Sequence, residues 1–145
     1  MAKIKLKNTP TQKLDKSKKD EIKLENENMI AEIIELQRMM YAQGKHSLLI
    51  IIQGMDASGK DGAVRRTLSG VNPNGIIVKS FKKPTEEEFA HDFLWRVYPH
   101  TPKKGMIQVF NRSHYEDILV PTVYGYLSKD EINQRYTAIN NFETQ

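Results

Sequence analysis

There is no cysteine among the 145 residues. That excludes disulfides and thiolate chemistry and fits a reducing, cytoplasmic setting. No apolar run approaches the ~18 residues of a membrane-spanning helix. The lysines near the N-terminus are not followed by an apolar stretch, so they do not make a secretory signal. Basic and aromatic residues do not interleave, and no nucleic-acid motif is present, so neither a membrane nor a nucleic acid is an expected partner. Acidic charge is nearly absent from the first 19 residues, where seven lysines face Asp15 alone, a balance of +6. The whole chain carries +4, so the rest sums to −2. The basic character therefore belongs to a tail. Residues 1–19 are expected to be a disordered leader, with contact to a polyanion as the alternative. Residues 20–145 then form one domain with one core; 39% hydrophobic and 28% charged residues are ordinary for a soluble protein.

The informative stretch is Leu48 to Leu68. Leu48-Leu-Ile-Ile-Ile52 reads as a strand buried on both faces. Gly54-Met55-Asp56-Ala57-Ser58-Gly59-Lys60 follows, in the G-x-x-x-x-G-K pattern of a phosphate-binding (Walker A) loop. Its glycines let backbone N–H groups curl around phosphate oxygens, and the helix starting near Lys60 points its positive end at the same place. Lys60 adds a full charge. Asp61 stands where Ser or Thr is usual, and Asp56 lies inside the loop. A carboxylate in an anion cradle is tolerated when a cation such as Mg²⁺ sits between it and the phosphates. Otherwise both aspartates are helix caps.

Around this stretch the pattern predicts an orderly α/β alternation. Ile22, Met29, Ile33, Leu36 and Met40, widened by Ile30 and Ile34, predict a helix from Asp20 to Gln43 that Gly44 ends. Its stripe fits docking on the chain's own sheet or a seam between copies in a homo-oligomer. After the loop, a helix runs to Ser69. Ile76–Phe81 reads as a second strand, followed by Lys82 and Lys83. Thr85 and Glu88 form a capping box, and Phe89, Phe93, Leu94 and Val97 predict one buried helical face ended by Pro99. Trp95 and Arg96 lie off that face, lining a crevice or facing solvent. Met106–Phe110 is a third strand, Ser113–Leu119 a short helix, Pro121–Tyr126 irregular, and Ser128 with Glu131 caps a last helix reaching Phe142. Such alternation implies a parallel sheet with its ligands at the carboxyl ends of the strands.

That edge brings a second constellation, Phe110-Asn111-Arg112-Ser113-His114-Tyr115-Glu116-Asp117. Phosphate-loop proteins keep a metal-organising residue at this point. Asn111 offers an amide oxygen, Arg112 a bidentate clamp for a phosphoryl group, and Glu116 or Asp117 a negative charge. The plainer reading is a helix start with surface ion pairs.

Gly54–Gly62, Ser69-Gly-Val-Asn-Pro73, His91-Asp-Phe-Leu-Trp-Arg96 and Phe110–Glu116 together resemble the polyphosphate kinase 2 family from about Met29 onward. The resemblance implies a thymidylate-kinase-like fold: an α/β, three-layer phosphate-loop domain with a parallel sheet. It implies Mg²⁺-dependent phosphoryl transfer between inorganic polyphosphate and a nucleoside mono- or diphosphate. Asp56, Lys60 and Arg112 are the expected catalytic residues. Gly54, Met55, Ala57, Ser58, Gly59, Lys60, Asp61, Lys82, Lys83 and Arg96 are expected to bind phosphates, and Asp56, Asn111 and Glu116 to hold the metal. Many relatives carry Asp where this chain has Asn111. Family members also continue into a basic lid and further strands, so the expectation is a truncated N-terminal part with little turnover. Two other readings stay open: an ATP-dependent small-molecule kinase, and a non-catalytic remnant that binds polyanions.

Overall fold

A computed structural model describes residues 18–145; the expected disordered leader falls almost entirely outside them. The elements are α1 (Lys19–Gln43), β1 (Leu48–Ile52), α2 (Lys60–Thr67), β2 (Ile76–Ser80), α3 (Glu86–Ala90), β3 (Ile107–Asn111), α4 (Glu116–Val123) and α5 (Lys129–Glu143). Single 3₁₀ turns at Pro73–Gly75 and Tyr98–His100 precede β2 and β3. The three strands form one parallel sheet in the order β1-β3-β2. In its register Ile52 pairs with Asn111 and Asn111 with Ser80, so all three strands end on one line. Whatever follows them emerges along a single edge. Among the described residues no helix is long and apolar enough to cross a membrane.

The strand buried on both faces is β3, not β1. Ile107–Phe110 are all buried, whereas β1 is an edge strand with Leu48 45% exposed and the rest half-buried. An unbroken apolar run sets the face pattern of a strand but not its rank in the sheet. The core gathers Phe81, Phe110, Leu94, Val97, Ile118, Ile139 and Phe142, with Leu49 and Ile51 of β1 packed against it.

Four further differences have local causes. In α1 the half-buried positions are Ile22, Ile30, Ile33, Ile34 and Met40, while Met29 and Leu36 face solvent. The helix's one buried residue is polar: Gln37 accepts a hydrogen bond from the Asn72 amide at 3.2 Å. The helix begun by the Thr85–Glu88 capping box stops at Ala90. The Asp92 carboxylate accepts from the Leu94 amide at 2.9 Å, a local turn that competes with helix. Leu94 and Val97 are thus buried from a turn and Phe89 is left 81% exposed. Helix α2 closes two residues before Ser69.

The fourth difference is α4, which runs through Pro121 instead of ending before it. Proline withholds the N–H that the Asp117 carbonyl, four residues back, would accept. Arg135 Nη1, from α5, donates to that carbonyl instead. The Arg135 guanidinium also lies 4.9 Å from the centre of the Phe93 ring. Arg135→Met should therefore destabilise the fold by about 1–3 kcal/mol, the cost of an orphaned buried acceptor. Adding Pro121→Ala restores a donor and should recover part of the loss. Urea denaturation of both variants checks this; a double variant no more stable than Arg135→Met would contradict it.

Candidate functional site

The loop after β1 is shaped by three constraints. Ala57 and Gly59 take positive φ values of 61° and 87°. A Cβ on Gly54 would stand 2.7 Å from the Ser58 hydroxyl oxygen. The Ser58 amide donates to the Met55 carbonyl at 3.1 Å, closing the turn. Gly59 then caps α2 in the left-handed region, and Lys60 is the first residue of that helix. The Lys60 side chain is buried and folds back across the loop, donating to the Met55 carbonyl at 3.2 Å. Its ammonium is 3.6 Å from Asp56 Oδ1.

A second cation, from another element, reaches the same oxygen. Arg112 Nη2 is 2.6 Å from Asp56 Oδ1. Arg112 follows β3 directly, has φ 62°, and its amide donates to the Ile52 carbonyl at 3.1 Å, tying the ends of β1 and β3 together. A non-glycine residue in the left-handed region carries strain that a functional side-chain direction can account for. The Asp56 side chain itself is 85% exposed.

Asn111 and Asp61 pair with each other, and Glu116 pairs with Gln53. Asn111 Nδ2 donates to Asp61 Oδ1 at 2.6 Å, across from the first turn of α2. Asn111 Oδ1 is buried and has no hydrogen-bond partner among the described residues. Glu116 accepts from Gln53 Nε2 at 2.8 Å, and Gln53 Oε1 accepts from the Ser113 hydroxyl at 3.0 Å. Asp56, Asp61 and Glu116 thus do not gather into a three-carboxylate cluster among the described residues. Three oxygen groups at or beside the loop remain: the Asp56 and Asp61 carboxylates and the orphaned Asn111 amide oxygen. They are hard donors of the kind Mg²⁺ takes, and a buried acceptor without a donor fits a cation.

Beside the loop opens a cavity of about 880 Å³. Lys82, Lys83, Arg96 and Arg112 all line it. Arg96 differs from the other three because its charge is already used. Its guanidinium is buried, donates to the Lys82 carbonyl at 2.9 Å and to Asp117 at 3.0 Å, and is 3.4 Å from Glu88. Burial raises the Asp117 carboxyl above its ordinary range, while Arg96 beside it acts in the opposite direction. Arg96 is a strut of the cavity wall, neither a solvated charge nor a cation with a free donor face like Arg112. Trp95 stacks on His91 with ring centres 4.2 Å apart, and neither is among the residues that line the cavity. His114 is fully buried among Phe110, Tyr115 and Phe142, 3.3 Å from Glu143, and desolvation lowers its pKa. That environment is structural.

Two contributions were not read from the sequence. Gln53 ties the loop to Ser113 and Glu116, and an isolated glutamine at a strand end gives no signal. Phe89, Tyr124 and Tyr126 line the cavity; the Tyr-Gly-Tyr spacing between two helices was the available hint.

Comparison with known proteins adds the following. The family model described as polyphosphate kinase 2 matches residues 16–145. An AMP/ADP-polyphosphate phosphotransferase of Meiothermus ruber is 49% identical over 109 residues, 75% of this chain and 41% of that protein. An ADP-polyphosphate phosphotransferase of Rhodopseudomonas palustris is 41% identical over 126 residues, 79% of this chain and 44% of that one. The crystal structure of polyphosphate kinase 2 from Arthrobacter aurescens superimposes with a TM-score of 0.87 at 35% identity, covering 99% of this chain and 53% of that one. The chain thus spans less than half the length of these two curated relatives.

The shared oxygen of Asp56 makes a signed prediction. In Asp56→Asn, Lys60 and Arg112 are released and a repelling charge is gone. Without Mg²⁺, affinity for tripolyphosphate should rise several-fold, on the order of 0.5–1 kcal/mol, the scale of the exposed Asp56–Arg112 pair. The gain that Mg²⁺ adds should shrink. Calorimetric titration with and without Mg²⁺ reads both; identical behaviour of variant and parent would reduce Asp56 to a loop cap.

Proposed function

Because this chain belongs to the polyphosphate kinase 2 family, we propose that it carries the phosphate-loop half of a phosphotransferase. The reaction moves a phosphoryl group between inorganic polyphosphate and a nucleoside mono- or diphosphate, in the cytoplasm and with Mg²⁺. One observation carries the reading: cations from two elements, Lys60 of α2 and Arg112 after β3, meet on one anionic oxygen at the centre of the loop. A phosphate oxygen placed where Asp56 Oδ1 lies would meet the same two cations. The names of the relatives, phosphotransferases of AMP, ADP and GDP with polyphosphate, support the substrate class.

The chemistry follows from charge. The terminal oxygen of the acceptor phosphate is already anionic, so it attacks phosphorus without a general base. The bond from that phosphorus to its bridging oxygen breaks, the acceptor gains one phosphoryl group, and the polyphosphate leaves one unit shorter. Loop N–H groups and the N-terminus of α2 hold the donor phosphates. Lys60 and Arg112 bear on the phosphoryl group in transit, where charge spreads over its oxygens. Asp56, Asp61 and the Asn111 amide oxygen would hold Mg²⁺, which neutralises charge on neighbouring phosphates. His114, buried and with its pKa lowered, takes no part.

Water reaches the centre of this site, since Asp56 is 85% exposed. Exclusion of water is part of efficient transfer, so turnover by the 145-residue chain should fall well below the roughly 1–100 per second of competent kinases. Phosphate binding is the more direct test. Lys60→Ala should weaken tripolyphosphate binding by about 1.5–3 kcal/mol, the range for a charge-assisted contact. Equal affinities in calorimetry would sink the phosphate-cradle assignment.

A further inference from the structure

The cavity beside the loop is lined by two chemically different sets of residues. Lys82, Lys83 and Arg112 bring cationic groups to it, and Arg112 reaches Asp56. Tyr124, Tyr126 and Phe89 line the same cavity with rings that remain 66%, 75% and 81% exposed. The two tyrosine rings stack on each other, centres 5.6 Å apart and planes within 16°. Their backbone is braced. The Tyr124 amide donates to the Val120 carbonyl at 3.2 Å, and the Tyr126 amide to the Pro121 carbonyl at 2.8 Å. Gly125 between them takes φ 69°, the left-handed turn that closes α4. Three exposed aromatic rings lining one concavity, one pair already stacked in a fixed turn, mark a ligand-binding wall.

Building on the phosphotransferase reading, we propose that Tyr124 and Tyr126 are the stacking platform for the base of the acceptor nucleotide. A polyphosphate chain needs only the cations; a nucleoside phosphate alone carries both a flat aromatic ring and the anionic groups that match the two sets of lining residues. Its phosphates lie toward Lys82, Lys83 and Arg112, and its base covers the outer face of the tyrosine pair. Stacking reads ring area, not base edges. The platform therefore ranks purine above pyrimidine nucleotides.

The test uses the 145-residue chain and calorimetric titration with ADP, CDP and tripolyphosphate. The parent should bind ADP more tightly than CDP. Replacing both rings (Tyr124→Leu with Tyr126→Leu) should lower ADP affinity roughly tenfold or more, the loss of a base–aromatic stack. It should also narrow the gap to CDP and leave tripolyphosphate unchanged. The pair Tyr124→Phe with Tyr126→Phe keeps both planes and should keep ADP affinity. The proposal is overturned if the parent fails to bind ADP or binds CDP as tightly. An unchanged ADP affinity in the leucine pair, or an equal fall for tripolyphosphate, also overturns it. Failure of the phosphotransferase reading would look different: Lys60→Ala would leave tripolyphosphate binding intact whatever the tyrosines do.

Discussion

Asp56 Oδ1 is the point on which the site converges. Lys60 reaches it from the first turn of α2 at 3.6 Å, and Arg112 from the end of β3 at 2.6 Å. As a contribution to stability the arrangement is small. Asp56 is 85% and the Arg112 side chain 42% exposed, and ion pairs so open to water are worth about 0–1 kcal/mol. That weakness suits a place-holder. On the proposed reading, a phosphate chain with several charges and the loop's N–H groups around it would outcompete a single exposed carboxylate. What is costly is the geometry around the pair: positive φ at Ala57 and Arg112, and a lysine buried against the Met55 carbonyl. The surrounding sheet holds that geometry in place.

The parallel register does much of the holding. Ile52, Asn111 and Ser80 end in line, so the phosphate loop, Arg112 and Lys82 emerge along one edge. The Arg112 amide on the Ile52 carbonyl and the Gln53 bridge to Ser113 and Glu116 tie two of these exits together. The third exit, after β2, is fixed by Arg96, whose guanidinium joins the Lys82 carbonyl to Asp117 of α4. Arg96 thus holds the backbone of Lys82, which lines the cavity with Lys83 and Arg112. The tyrosine pair follows α4, so the same framework positions both the cations and the rings that line the cavity.

Much of this was legible in the chain itself. Glycine spacing and the apolar run gave the loop and β1, and both capping boxes marked helix starts with both hydrogen bonds formed. What was not legible depended on partners distant in sequence or on local competition. Pro121 reads as a break unless Arg135 is known to take the Asp117 carbonyl. The Phe89–Phe93 spacing reads as helix unless Asp92 turns back on its own backbone. Gln37 is polar in an apolar stripe and is buried because it serves the Asn72 amide. The rank of β1 in the sheet is likewise a property of pairing, which residue pattern does not encode.

The central claim is that Lys60 and Arg112 act on one phosphate at one place. A double-mutant cycle on tripolyphosphate affinity in Mg²⁺ tests it, with Lys60→Ala, Arg112→Ala and both together. Two cations that share a ligand should couple, giving an interaction energy of about 0.5–3 kcal/mol between the substitutions. Losses that add to within about 0.3–0.5 kcal/mol, as for independent sites, would mean that the two cations do not share a phosphate and would contradict the account.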